Sequence, residues 1–143
     1  MTVRLPRRGS RARLAALACG IAIFAWLGPE DTHVWPVAAL GTVTAALAVW
    51  LWTLGKLGGA RLNGRQLALL AALLGAVTGL ASSIITAGLM LLKNAYHAHA
   101  FPDYPPALMG AMIQRAPTWA LAGTLAGLAL ALAWQALNAP EPD

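Results

Sequence analysis

Four long stretches of this chain contain no charged side chain, although the sequence holds ten lysines and arginines and five aspartates and glutamates. Moving a charge from water into hydrocarbon is costly, so runs this free of charge are typical of helices that cross a lipid bilayer. Only 10% of the residues are charged, whereas an ordinary soluble domain has about 25%. The sequence therefore predicts an all-α membrane protein, a four-transmembrane-helix bundle with no ionisable group in the membrane interior.

The predicted spans use most of the chain. A span needs about 20 residues, so four of them leave no room for a separate soluble domain in 143 residues. We predict a basic N-terminal segment (1–13), a membrane domain (14–137) and a disordered tail (138–143). The predicted spans are residues 14–28, 34–54, 67–92 and 117–137.

The basic residues are unevenly distributed between the segments outside these spans. Three of them, Lys56, Arg61 and Arg65, lie between the second and third spans. Another five precede the first span: Arg4, Arg7, Arg8, Arg11 and Arg13. Because cytoplasmic loops are rich in lysine and arginine, we predict that both segments and both termini face the cytoplasm of a bacterial-type inner membrane. Since the basic residues flank apolar spans, we expect a lipid bilayer and not a nucleic acid as the partner of this positive charge.

The first apolar run, Leu14 to Leu27, is short for a membrane span. As a helix it would be about 21 Å long, against a hydrocarbon core of about 30 Å. Either Arg11 and Arg13 extend toward the headgroups or the helix begins earlier. A basic segment before a short apolar run also resembles a secretory signal peptide, which remains an alternative. Cys19 is the single cysteine and is expected to be a small packing residue.

Small residues recur at four-residue spacing in the third and fourth spans. Gly75, Gly79 and Ser83 form one such row, and Gly123 and Gly127 form another. Small side chains let helix backbones approach closely, which favours helix association in lipid. These rows predict a helix contact, either between the third and fourth spans or with another copy or subunit.

The segment that begins at Lys93, after the third span, concentrates polar and aromatic residues. Prolines at 102, 105 and 106 restrict its backbone, and the apolar spacing after them predicts a short interfacial helix in this second outer loop. His97 and His99 would point the same way on an extended backbone. With His33 and Asp103 they are candidate ligands for a divalent metal, and His97 or His99 alone for a haem or a chlorophyll-type pigment. They can also sense pH, or serve only as interfacial side chains.

We find no sequence pattern that indicates catalysis. A phosphate-binding glycine loop, an HExxH motif and paired cysteines are all missing from the sequence, so we predict that the protein is not an enzyme. The preferred hypothesis is an accessory or structural subunit of a larger membrane complex, with other membrane subunits or a second copy as partner. The alternatives are an extracytoplasmic metal- or tetrapyrrole-binding membrane protein and an oligomeric channel or small transporter.

Overall fold

Helices dominate the computed structural model, which describes residues 2–7, 9–30, 32–98 and 101–138. Four of its helices are long and apolar enough to cross a membrane, so the prediction of a multi-pass helical membrane protein is confirmed. The elements in chain order are β1 (Thr2–Arg4), α1 (Ser10–Leu27), α2 (Val34–Leu57), β2 (Arg61–Asn63), α3 (Gly64–His97), α4 (Pro106–Gln114) and α5 (Ala116–Leu137).

Two short strands depart from the all-α prediction. β1 pairs with β2 in antiparallel register, with Val3 opposite Leu62 and Arg4 opposite Arg61. The backbone of Leu5 extends the pairing through a hydrogen bond to Ala60. The two basic segments therefore meet at one end of the helices, which we call the sheet end. The opposite end, with residues 28–30, 32–33, 98 and 101–105, is the loop end.

The helices are longer than the charge-free runs that predict them. α1 begins at Ser10, one turn before the apolar run, so Arg11 and Arg13 lie within the helix, as the second sequence alternative requires. α3 has 34 residues and begins at a capping box, in which Asn63 and Gln66 each accept a backbone hydrogen bond from the other. It continues through Lys93 to His97, so Lys93 belongs to the helix and not to the loop.

The four long helices pack in the order α1, α2, α3, α5. α3 is the central element, because it makes extensive contacts with both α2 and α5, whereas the main neighbour of α1 is α2. Cys19 of α1 contacts α2 through its sulfur atom, 3.4 Å from Thr44 Oγ1. α4 lies against α3 and is separated from α5 by Arg115 alone.

The buried core lies toward the loop end. It combines residues from α2, α3, α4 and the connection before α4: Val37, Ala87, Leu89, Met90, Tyr104 and Met112. α4 contributes Met112 to this core, so it is packed into the protein on one side. Most other large apolar side chains on the long helices are exposed, as expected where the surroundings are lipid.

Candidate functional site

Two of the predicted site residues meet at the loop end. His97 is the last residue of α3, and its Nδ1 atom lies 2.5 Å from Asp103 Oδ2 in the following connection. Both side chains are 9% exposed. A carboxylate beside one ring nitrogen fixes the orientation of an imidazole. The pair therefore holds residue 103 against the end of α3.

Among the described residues, the predicted ligand His33 does not join this pair. His33 precedes α2, and its backbone carbonyl accepts a hydrogen bond from the Tyr104 hydroxyl. His99 lies outside the described residues. The extended backbone that would align His97 with His99 is not found at His97, which is helical. Across the described part of the chain, no group of three or more His, Cys, Asp or Glu side chains is placed to hold a metal ion.

Lys93 is a buried charge that the sequence reasoning missed. It is 0% exposed, and its Nζ atom lies 4.6 Å from the centre of the Trp26 ring and 6.0 Å from that of Tyr104. A desolvated cation over an aromatic face gains about 2 kcal/mol. The Trp26 ring therefore packs against the ammonium group of Lys93 in α3. The other five tryptophans are exposed, as membrane anchors would be. We call Trp26, Lys93 and Tyr104 the Lys93 cluster.

Asn94 fixes the connection that follows α3. Its side-chain amide donates to the Tyr104 carbonyl at 2.7 Å and accepts from the Tyr104 backbone N–H at 2.9 Å. This two-bond contact explains why Tyr104 is fully buried although it lies in a loop. Together with the Tyr104–His33 hydrogen bond, it joins the starts of α2 and α4 to the end of α3.

The glycine rows of α3 and α5 face each other. A Cβ atom on Gly75 would overlap the carbonyl oxygen of Gly123, and a Cβ atom on Gly123 would overlap that of Gly75. Gly79 meets the carbonyl of Trp119 in the same way, and Gly127 that of Ala71. These four glycines therefore lie in an internal contact between α3 and α5. We call this contact the glycine seam.

Ser83, the last residue of the predicted row, is not part of these backbone approaches. It is 4% exposed, and within the described residues its hydroxyl makes no hydrogen bond. By contrast, Thr42, Thr44, Thr53 and Thr124 each bond the carbonyl four residues earlier in their helix. Ser83 lines a cavity of about 160 Å³ where α2, α3, α4 and α5 meet. We call this cavity the chamber.

A second cavity, of about 480 Å³, runs between α2 and α5 with α3 as its floor. We call it the groove, because it is open on one side and lined mostly by carbon atoms. Thr42, Ser82 and Trp119 line both cavities, so the groove and the chamber adjoin. Arg115 lines the chamber and not the groove. Along the helices, the two cavities therefore present first the charge of Arg115, then buried hydroxyls and then the apolar groove.

Comparison with known proteins adds no assignment, since no family model, no curated protein and no solved structure matches this chain. Function must therefore be argued from the residues described above.

Proposed function

We propose that this chain is an accessory or structural subunit of a larger membrane complex, located in a bacterial-type inner membrane. The supporting observation is the outward surface of α1. Its large side chains Leu14, Leu17, Ile21 and Phe24 are 61–72% exposed. They recur at intervals of three and four residues, the spacing by which one helix packs its side chains between those of another.

The attachment of α1 supports the same proposal. α1 makes few contacts with the other described helices, and its main neighbour is α2. The proposed occupant of this ridge is a transmembrane helix of another subunit, because exposed apolar side chains at this spacing can pack between those of a second helix. The rest of the protein, held by the glycine seam, is the scaffold that presents α1, and the Lys93 cluster attaches α1 to this scaffold through Trp26.

Co-purification from native membranes tests this proposal. The full chain should elute in mild detergent with one or more other subunits in fixed ratio. Replacing Leu17 and Ile21 by alanine should release them, whereas the same change at Leu69 and Leu73, equally exposed on α3, should not. A wild-type protein that remains a monodisperse monomer without a partner would refute the subunit proposal.

We further infer that the sheet end faces the cytoplasm. β1 and β2 hold residues 2–4 and 61–63 together, and these segments carry the arginines that favour the cytoplasmic side. The short helix α4 would then lie near the outer surface. With Cys19 replaced by serine, a cysteine at the exposed Gly55, where a Cβ atom meets no neighbour within 4 Å, should react with thiol reagents from the cytoplasmic side and one at Phe101 from the outer side. Labelling of Gly55→Cys from outside would overturn this orientation.

The alternative function is the binding of a metal or tetrapyrrole cofactor at His97. The adjacent Asp103 carboxylate would orient the ring as it does in many metal-ligating histidines. Purified protein should then carry visible absorption or bound metal that His97→Ala removes. A colourless, metal-free protein would exclude this alternative, and the mostly apolar groove gives no support to the third, an oligomeric channel.

A further inference from the structure

The chamber contains a polar group that needs a partner. Ser83 is buried without a hydrogen bond among the described residues, while threonines on α2 and α5 are satisfied by their own helices. Leaving a buried hydroxyl unsatisfied costs about 1–3 kcal/mol. A cavity adjoins this residue. This is the observation that indicates a ligand.

The packing of α5 against α3 places a positive charge at the same level of the bundle as Ser83. Along the glycine seam Gly127 faces Ala71, Gly123 faces Gly75, and Trp119 faces Gly79. One further turn on each antiparallel helix brings Arg115 level with Ser83, and both line the chamber. Arg115 is exposed at the break between α4 and α5, whereas α3 continues beyond this level to His97. Arg115 therefore lines the chamber and is also exposed at the protein surface.

The groove provides an apolar continuation. Along α3 it is lined from Ser82 to Ala71, which corresponds to about 16 Å of helix. This length is close to half of a hydrocarbon core of about 30 Å, the depth that one lipid leaflet occupies. The groove opens between α2 and α5, so a chain can enter it sideways from the bilayer.

We propose that the chamber and the groove together bind one anionic glycerophospholipid. Its phosphate lies against Arg115, an ester carbonyl accepts the Ser83 hydroxyl, and one acyl chain fills the groove. In the protein the charge of Arg115 is followed by the Ser83 hydroxyl and then by the groove. In such a lipid the phosphate is followed in the same order by the ester and the acyl chain. Basic pockets between transmembrane helices are known to bind anionic headgroups. A partner helix would bring an apolar surface but no fixed negative charge for Arg115.

Lipid retention measured by native mass spectrometry tests the site. The full chain in mild detergent is incubated with equal amounts of phosphatidylglycerol and phosphatidylcholine that have the same acyl chains. The wild type should retain one phosphatidylglycerol in preference to phosphatidylcholine. Arg115→Gln should lower that preference about tenfold, because the arginine favours the lipid with a net negative charge, whereas the trimethylammonium group of phosphatidylcholine offsets its phosphate charge. Ser83→Ala should weaken retention of both lipids about fivefold, since both carry the ester carbonyl.

Matched variants separate this site from lipid bound anywhere on the surface. Ala126 lines the groove and Ala129 does not, although both are exposed on α5. Ala126→Phe should abolish the retained lipid, while Ala129→Phe should leave it unchanged. Arg65→Gln and Thr124→Ala, which remove a charge and a hydroxyl outside both cavities, should also have no effect.

Three outcomes would overturn the proposal. One is equal retention of the two lipids by the wild type. Another is an unchanged preference in Arg115→Gln, with helical content preserved by circular dichroism. The third is displacement of phosphatidylglycerol by an equal amount of oleate, which would show that the glycerol ester makes no contribution.

Discussion

Replacing Gly75 by alanine should separate α3 from α5. The added Cβ atom would overlap the carbonyl oxygen of Gly123, which is backbone and cannot move without moving its helix. Gly88 lies on the same helix and is exposed, and a Cβ atom there would have no neighbouring atom within 4 Å. Gly88→Ala is therefore the matched control, because it makes the same chemical change away from the seam.

The size of the effect follows from the contact. To reach ordinary van der Waals distance the two helices must move apart by about 1.4 Å, which forfeits about half or more of the dispersion energy of each affected atom pair. In lipid this packing is a main source of helix association. Overpacking of a fitted contact typically costs about 1–3 kcal/mol. We expect about 2–3 kcal/mol here, because the movement also disturbs the approaches at Gly79 and Gly127.

The free energy of unfolding can be measured by titrating detergent-solubilised protein with sodium dodecyl sulfate. Gly88→Ala should be neutral or stabilising by up to about 1 kcal/mol, since alanine is the better helix former. The double variant Gly75→Ala/Gly123→Ala should cost less than the sum of the single variants, because the same helix movement relieves both overlaps. Equal stabilities of Gly75→Ala and Gly88→Ala would refute the argument from the seam.

Other contacts give predictions that the same unfolding assay checks. Asn94→Ala should destabilise the protein by about 2–3 kcal/mol, because it leaves two buried backbone groups of Tyr104 unpaired, whereas the exposed Asn138→Ala should stay within about 0.5 kcal/mol. Trp26→Leu should lower the free energy of unfolding by about 2–4 kcal/mol, because packing and the aromatic face over Lys93 are lost. Trp35 is 72% exposed, so Trp35→Leu should lower it little. Similar losses in the two variants would contradict the role given to the Lys93 cluster. Cysteines at Val3 and Leu62, in a Cys19→Ser background, should form a disulfide on mild oxidation, which gel mobility under non-reducing conditions detects, because the two residues are strand partners. A cysteine at Leu92 in place of that at Leu62 is the control and should leave the protein uncrosslinked.

The long helices could be predicted from the sequence because a charge-free apolar run is a local property. The ends of the helices depend on contacts that are distant in sequence. The helix α3 continues beyond Lys93 because the Trp26 ring covers the ammonium group. It ends where Asn94 binds the backbone of the following loop. The sequence places these partners far apart, so the charge at Lys93 resembles the end of a span.

The short strands and the chamber were missed for a related reason. β1 and β2 have three residues each, too few for a periodic pattern to show, and their partners lie about sixty residues apart. Ser83 was assigned to the glycine row by its spacing alone. Only the packing of four helices shows that Ser83 lines a cavity, and only the helix register brings Arg115 to the same level.

The pairing of β1 with β2 also constrains the order of events during synthesis. β2 emerges from the ribosome only after α1 and α2 have been made, so both helices can enter the bilayer before the strands meet. Closing a loop of this length costs about 3–4 kcal/mol of chain entropy if the chain is flexible, but inserted helices have already restricted it. Once formed, the strand pair joins the start of α1 to the start of α3. Neither α1 nor α2 can then reverse its direction in the membrane unless those backbone hydrogen bonds break first.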